Sequence, residues 1–85
     1  MYTIKIKRRA QRAWEKLPET DFRAILQALD ELAKNARPGG AEKLKVADLW
    51  RIRLGDYRIV YSIYDSEKLI IVRRIGHRQE IYQSP

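Results

Sequence analysis

Residues 50–61 read WRIRLGDYRIVY, and the rest of the chain can be placed around them. Apolar and polar residues alternate on both sides of Gly55-Asp56, the pattern of two antiparallel strands joined by a two-residue turn. Such a hairpin places Arg53 directly opposite Arg58. One face then carries six apolar or aromatic residues, namely Trp50, Ile52, Leu54, Tyr57, Ile59 and Tyr61. We expect this face to pack against a hydrophobic core.

The opposite face of the hairpin carries Arg51, Arg53 and Arg58 beside Val60. Like charges directly opposite one another on two strands are destabilising. The fold therefore gains no stability from this arrangement, whereas a polyanion bound against the face would explain it. The alternative is a solvated outer face that happens to be basic, since outer faces of antiparallel sheets are commonly polar.

The composition indicates one small domain with a basic surface. The 85 residues are 45% hydrophobic and 34% charged, which is enough apolar material for one core. The formal net charge is +7, which favours a nucleic acid or an acidic protein as partner. Nine basic and six acidic residues in 1–42 give +3, and nine and five in 43–85 give +4. Any binding patch must therefore be assembled by folding.

The chain contains no cysteine and only one histidine, so disulfides and the usual zinc sites are excluded. No apolar run reaches the length of a transmembrane helix, and the N-terminus has no apolar signal-peptide region. We expect a soluble cytoplasmic protein that needs no membrane, metal or cofactor.

The segments before the hairpin predict one strand and two helices. Residues 2–7 alternate as a half-buried strand does. Residues 8–17 carry an apolar stripe at helical spacing that ends at a proline. A second helix, capped by Thr20 or Asp21, runs to about Ala36. Two helices joined by a short linker form a hairpin that can cover one face of a sheet.

Three arginines of the first helix, Arg8, Arg9 and Arg12, lie off its apolar stripe. They are either solvated helix charges or a secondary cluster that contacts phosphate. The sequence favours neither alternative.

The segments around the hairpin predict a polar connector and a further strand. Residues 42–48 form the connector, and a second turn leads into a strand over 69–75 that is broken by Gly76. Arg73 and Arg74 are neighbours in that strand, so we expect their side chains on opposite faces. The N-terminal strand lies either antiparallel to its neighbour at an edge or parallel to the last strand.

These elements predict an α+β domain of order β-α-α-β-β-β. We expect a small, curved, mainly antiparallel sheet with the helical hairpin packed on one face and the arginine face left open. If the last strand is antiparallel to its neighbour, its end brings His77 and Arg78 close to Arg58, with Tyr82 beyond them. Guanidinium groups around one phosphate can bind it bidentately and stabilise the charge of a pentacoordinate transition state. A tyrosine or histidine beside them can transfer a proton.

The runs LWRIRLGDYRIVY (49–61) and IGHRQEIY (75–82), with KLK at 43–45 and this element order, resemble the RelE/ParE superfamily of bacterial toxins from toxin–antitoxin pairs. The resemblance covers nearly the whole chain. Its RelE-like branch implies cleavage of messenger RNA in the ribosomal decoding site without a metal. The implied reaction is attack of a 2′-hydroxyl on the adjacent phosphate, which leaves a cyclic phosphate and a 5′-hydroxyl.

The resemblance also implies catalytic roles, position by position. Arg58 matches the arginine that holds the scissile phosphate, and Arg78 matches one that stabilises transition-state charge. Tyr82 matches a C-terminal tyrosine that stacks on a base or assists proton transfer, although a core aromatic is the alternative. His77 is the other candidate base, because imidazole titrates near neutral pH, or else a turn residue. Glu80 is a weaker candidate.

The expected substrate-binding residues are Arg51, Arg53, Lys43 and Lys45. Arg51 and Arg53 match positions at which some members carry lysine. Arginine remains protonated in proteins, so neither can be a general base, but both can bind phosphate.

Two other functions compete with the nuclease. The ParE-like branch of the superfamily implies a poison of DNA gyrase with no nuclease activity. A basic nucleic-acid-binding module without catalysis would bind mainly by phosphate neutralisation, so that its affinity falls steeply with salt. Either toxin implies a cognate acidic antitoxin that covers the basic face, and the nuclease implies the ribosome and mRNA as further partners.

Overall fold

The computed structural model describes residues 1–45 and 48–77 and has the predicted hairpin near the centre of one mixed sheet. The elements in chain order are β1 (Thr3–Ile6), α1 (Arg8–Glu15), α2 (Glu19–Lys34), β2 (Glu42–Lys43), β3 (Trp50–Leu54), β4 (Tyr57–Tyr64), a 3-10 turn (Asp65–Glu67) and β5 (Leu69–His77). The described strands lie in the order β1-β5-β4-β3-β2. The expected α+β class with a helical hairpin on the sheet is confirmed. None of the described helices has the length and apolarity needed to cross a membrane.

The hairpin of β3 and β4 has the register that alternation predicts. Arg53 pairs with Arg58, and the paired residues continue in both directions from there. Gly55 has φ +59° in the turn while Asp56 stays at negative φ, as in a type II′ turn with glycine at its first central position. Ile59 and Tyr61, on the face that carries the helices, are completely buried.

The two helices begin and end close to the predicted positions, but the predicted cap of α2 is wrong. Neither Thr20 nor Asp21 precedes the helix, because α2 begins at Glu19 with Pro18 in the capping position. The backbone carbonyl of Pro18 accepts the Phe22 N–H at 2.8 Å. Glu19 and Asp21 instead place carboxylates in the first turn, where they favour the helix dipole.

Trp14 joins the two helices beneath the sheet. Its indole ring stacks on the Phe22 ring with 4.3 Å between centroids, and its N–H donates to the Phe22 carbonyl at 3.1 Å. The indole is buried, with 7% of its surface exposed. The core around it is formed by Ala10, Ile25, Leu29, Leu32, Ala36, Ile52, Ile59, Tyr61, Ile70, Val72 and Ile75.

β5 lies inside the sheet between two partners. It pairs antiparallel with β4 and parallel with β1, which settles the open question about the N-terminal strand. Gly76 does not break β5 as predicted, because its ladder with β4 continues through Arg58–Gly76 to His77. A glycine weakens a strand but does not end it while a neighbouring strand supplies partners.

A β-bulge in β5 places two arginines on one face. Val60 pairs with Arg74 and Tyr61 with Val72, so Arg73 is the extra residue. The prediction that Arg73 and Arg74 face opposite sides is therefore wrong, because the bulge interrupts the alternation. The register places Arg74 on the face of Val60, away from the helices.

The first two residues of the predicted connector form a strand. Glu42 and Lys43 pair antiparallel with Arg51 and Trp50, which makes β2 an edge of the sheet. The prediction of a purely polar connector over 42–48 is wrong at these two residues. The Glu42 carboxylate accepts a hydrogen bond from Arg51 at 2.7 Å, an ion pair that favours this short pairing.

A network around Asp65 links distant parts of the chain. Arg37, just after α2, donates both terminal nitrogens to the Asp65 carboxylate at 3.2 and 2.9 Å, and the Tyr2 hydroxyl donates at 2.6 Å. The hydrogen bonds from Arg37 and then Tyr2 lower the pKa of Asp65 to about 2. The network holds the end of α2 and the start of β1 against the turn between β4 and β5.

Replacing Tyr61 by phenylalanine should destabilise the protein by about 1–3 kcal/mol at neutral pH, because the buried Ala36 carbonyl loses its donor. The Tyr61 hydroxyl donates to that carbonyl at 2.8 Å. Burial raises the pKa of Tyr61 from 10.0 to about 12, so the stability it provides is complete below pH 10 and falls as pH rises towards 12. Urea denaturation of both proteins should show their difference shrinking over that interval, and a difference independent of pH would contradict the assignment.

Candidate functional site

The sheet face away from the helices carries arginines from three adjacent strands. We call this the arginine face, and its members are Arg51, Arg53, Arg58, Arg73 and Arg74. Arg53 is exposed and pairs with Arg58 across the hairpin, as the sequence predicts. The sequence left open which of Arg73 and Arg74 would lie on this face, and both do, because the bulge that turns Arg73 to it has no signal in the sequence.

Arg58 is the most buried member of the arginine face, with only 3% of its surface exposed. Its Nη1 donates to the carbonyl of Gly55 at 3.1 Å and to that of Tyr57 at 3.0 Å. The prediction that the arginine face is left open is therefore wrong at Arg58, whose side chain is buried and donates to the carbonyls of its own turn. These bonds offset part of the cost of burying the guanidinium and fix its position before any ligand arrives.

The strand around Arg58 is also covered on this face. Val60 and Ser62 are 4% and 5% exposed. The Arg73 side chain crosses this strand and donates from Nε to the Ser62 hydroxyl at 3.0 Å and from Nη2 to the Tyr64 hydroxyl at 2.9 Å. Arg73 is thus held by neutral hydroxyls, which leaves its charge uncompensated by these two bonds.

The predicted substrate-binding cations at the edge of the sheet have carboxylate partners. Arg51 bonds Glu42 at 2.7 Å, and Lys43 lies 3.6 Å from the Asp48 carboxylate. Asp48 is almost completely exposed, so this pair is worth little and can open for another anion. Lys45 is exposed in the loop after β2.

His77 lies on the other face of the sheet from Arg58. It pairs with Tyr57, and the two rings meet edge to face with 6.0 Å between centroids. The Tyr57 hydroxyl donates to Asp21 of α2 at 3.2 Å, which fixes this ring on the helix side. Arg78 and Tyr82, the remaining predicted catalytic residues, lie outside the described residues, as does Glu80.

A second basic surface opens beside α1. A cleft of about 870 Å³ is lined along one side by Arg8, Arg9, Arg12 and Lys16. Tyr57, Gly76 and His77 of the sheet also line it, and we call this part of the lining its floor. We call the whole cleft the α1 cleft. Tyr57 was expected in the core alone, although pairing the hairpin with the last strand would have placed it beside His77.

Positive charge is dense between the two surfaces. The pKa of Arg74 is lowered, first by burial and then by repulsion from Arg9. Arg74 belongs to the arginine face and Arg9 to the α1 cleft. The two surfaces therefore approach one another at the end of β5, where Gly76 pairs with Arg58 and also lines the cleft.

Comparison with known proteins identifies one family over almost the whole chain. The family model described as the ParE toxin of type II toxin-antitoxin systems, parDE, matches residues 4–82. Among curated proteins, the toxin RelG of Mycobacterium tuberculosis is 30% identical over 84 residues, which cover 96% of this chain and 97% of that protein.

Solved structures of toxins share the fold. A chain of the archaeal RelE–RelB complex from Pyrococcus horikoshii is 32% identical with a TM-score of 0.82, and the match covers 91% of this chain and 94% of that one. A chain of the intact RelBE toxin–antitoxin complex from Escherichia coli is 25% identical with a TM-score of 0.80, covering 91% and 96%. Both matches cover more than nine-tenths of each chain.

Proposed function

This chain belongs to the RelE/ParE superfamily and is a toxin of a type II toxin–antitoxin system, and we propose that it acts as a ribosome-dependent endoribonuclease on mRNA. The relatives named RelG and RelE favour this branch. The proposal also follows from the arrangement of the arginine face.

The observation that carries the proposal is the pair Arg53–Arg58, with the Arg58 guanidinium fixed by two carbonyls of its turn. Two cations facing one another across a hairpin cost stability, so their placement is explained by an anion between or beside them. A guanidinium held in place before the reaction stabilises developing negative charge without reorganising, which is the largest single contribution in many enzymes.

The proposed reaction cleaves RNA without a metal. The 2′-hydroxyl oxygen of one nucleotide attacks the adjacent phosphate, so that the O2′–P bond forms as the P–O5′ bond breaks. The hydroxyl proton passes to a general base, and the departing O5′ receives a proton. The products are a 2′,3′-cyclic phosphate and a 5′-hydroxyl, and the guanidinium groups neutralise the extra charge of the pentacoordinate phosphate.

The chain's residues divide these tasks. Arg58 and Arg78 bind the scissile phosphate, and Arg51, Arg53, Lys43 and Lys45 bind the RNA backbone. Tyr82 transfers the proton or stacks on a base. His77 is a less direct candidate for proton transfer, because its ring contacts Tyr57 on the far face of the sheet from Arg58.

The proposed protein partner is an acidic antitoxin. One of the two solved relatives is named as a RelE–RelB complex, and the other is named as a RelBE toxin–antitoxin complex. A chain of net charge +7 suits an acidic partner, which would neutralise the arginine face and block access to RNA. We propose a cytoplasmic location, where mRNA and ribosomes are found.

Mapping of mRNA 5′ ends after expression of the chain tests the nuclease. We expect new 5′-hydroxyl ends inside translated codons, together with growth arrest. The same transcript carrying a disabled start codon should remain uncut, because cleavage requires the ribosome. Equal cutting of the translated and untranslated transcripts, or no cutting in a growth-arrested culture, would refute a ribosome-dependent nuclease.

Inhibition of DNA gyrase is the second candidate function, and the ParE description of the matching family model favours it. A gyrase poison would block supercoiling of relaxed plasmid by purified gyrase in proportion to the added toxin. We expect no inhibition at concentrations that stop translation in a cell-free system. Inhibition of supercoiling with intact mRNA would favour the gyrase function over the nuclease.

A further inference from the structure

The α1 cleft contains a row of cations that the stability of the fold does not explain. Arg8, Arg12 and Lys16 follow one another at intervals of four residues, and all three are exposed. Like charges at this spacing on a helix are mutually destabilising. Arg8 and Arg9 also occupy the first turn, where cations oppose the helix dipole and where α1 has no acidic residue.

Three of these cations, Arg8, Arg12 and Lys16, have no ion-paired carboxylate within the described part of the chain. Of the ion pairs found in residues 1–45 and 48–77, none involves Arg8, Arg12 or Lys16. On α2, by contrast, Arg23 lies 3.8 Å from the Glu19 carboxylate. Within residues 1–45 and 48–77, no ion pair offsets the charge of the row Arg8, Arg12 and Lys16 along one wall of the cleft.

The geometry of the row suits a polyanion strand. Residues four apart on a helix are separated by about 6 Å along its axis, comparable to the distance between successive phosphates in an extended nucleic acid strand. Guanidinium groups bind phosphate oxygens through paired hydrogen bonds, which favours phosphate over an arbitrary anion.

The floor of the cleft suits a nucleobase. The half-buried rings of Tyr57 and His77 meet edge to face there, and Tyr57 is held by its hydrogen bond to Asp21. Proteins that bind single strands combine such a basic groove with aromatic side chains on which unpaired bases stack. An acidic protein segment would make no particular use of these rings.

We propose that the α1 cleft is a second RNA-binding site, which takes the backbone of a single strand along Arg8, Arg12 and Lys16 and an unpaired base against Tyr57 and His77. The identification of RNA rests on the proposed function. Because Gly76 lines the cleft and pairs with Arg58, the cleft adjoins the part of the sheet that carries Arg58. The cleft would then hold the RNA beside the site of cleavage without touching the scissile phosphate.

The test measures binding of a short, unstructured 2′-O-methyl RNA, which cannot be cleaved by 2′-hydroxyl attack. The double variant Arg8→Gln/Arg12→Gln should bind at least about 10-fold more weakly than the wild type. Its log–log salt dependence should be shallower by about 1.4, because two phosphate contacts are lost from a single strand. The matched control is Arg23→Gln/Lys34→Gln on α2, which removes the same charge and should change neither quantity appreciably.

A second variant tests the floor of the cleft. His77→Ala should weaken binding of the base-containing RNA by about 10-fold, since stacking is worth about 1–3 kcal/mol per base. It should leave binding of an abasic strand unchanged. Equal weakening of both strands would exclude a base contact at His77 and overturn that half of the proposal.

Three further outcomes test the site itself, the identity of its occupant and the proposed nuclease function. Equal weakening by the α1 and α2 double variants would overturn the site, because binding would then reflect net charge alone. Polyglutamate is the competing ligand. If it binds as tightly as the RNA at the same salt concentration, and if Arg8→Gln/Arg12→Gln weakens both equally, the occupant is an acidic protein and the RNA assignment is overturned. If Arg8→Gln/Arg12→Gln specifically loses RNA binding while the wild-type protein cuts no mRNA, the cleft is supported as an RNA site and the nuclease function is rejected.

Discussion

Replacing Arg58 by alanine should lower the rate of mRNA cleavage by about 10²–10³-fold, the usual cost of losing one preorganised donor to a transition state. Arg58 is only 3% exposed, and its guanidinium is fixed by the carbonyls of Gly55 and Tyr57. The substitution therefore removes a charge whose position is already set. Primer extension on a translated reporter mRNA, with toxin added to a cell-free translation system, measures the cleavage rate directly.

Stability must be separated from catalysis in this experiment. The same substitution removes two hydrogen bonds to the turn, so thermal unfolding of the variant should be recorded beside its activity. Arg58→Lys keeps a positive charge but not the guanidinium fork, and it should retain part of the activity. Arg23→Ala, which removes an exposed arginine from α2, should cleave normally. Full activity in a folded Arg58→Ala protein would remove Arg58 from the site.

Replacing Trp14 by alanine should destabilise the protein by about 3–5 kcal/mol, the usual cost of deleting a buried aromatic side chain. Small domains are stable by only about 5–15 kcal/mol, so the substitution would remove a large part of the free energy of unfolding. The indole stacks on Phe22 and bonds its carbonyl, which joins α1 to α2. Urea denaturation followed by circular dichroism gives the free energy of unfolding, and it avoids relying on tryptophan fluorescence after one of two tryptophans is removed.

The companion variant Trp14→Phe separates the two interactions. A phenyl ring can still stack on Phe22, but the carbonyl of Phe22 loses its donor. We expect a loss of about 1–2 kcal/mol, close to that of a single partly buried hydrogen bond. If Trp14→Ala is no less stable than Trp14→Phe, the ring contact between the helices contributes nothing, and the account of the core is wrong.

Local patterns predicted the hairpin because two independent signals agreed there. Alternation fixes which residues face the core, and Gly55-Asp56 fixes the length of the turn, so the pairing of Arg53 with Arg58 follows without knowledge of the rest of the chain. Trp14 was equally accessible to prediction, since its helical spacing places it on the apolar stripe that packs beneath the sheet.

The features that could not be predicted depend on tertiary geometry. The hydrogen bonds from Arg58 to its own turn depend on the side-chain rotamer, and alternation says nothing about rotamers. The bulge at Arg73 depends on how β5 lies against β4, so that Arg73 and Arg74 share a face despite being neighbours in sequence. The two-residue strand β2 is too short to produce a periodic signal.

The α1 cleft lies between these extremes. The sequence showed its cations as residues off the apolar stripe of the first helix. Their function stayed undecided because the sheet residues that form the floor of the cleft were unknown. The register of β4 with β5 forms this floor by bringing His77 next to Tyr57. The basic face of α1 can be recognised as a binding site only together with the sheet residues that form the floor of the cleft.

The parallel pairing of the first and last described strands has a consequence for synthesis. Thr3 pairs with Leu69, 66 positions later in the chain, so β1 has no partner until β5 has left the exit tunnel of the ribosome. Contacts so distant in sequence form late in folding. The α1 cleft needs β5, which supplies Gly76 and His77, whereas the pair Arg53–Arg58 of the arginine face needs only β3 and β4. The α1 cleft is therefore assembled only when this last described strand is free to pair with β4.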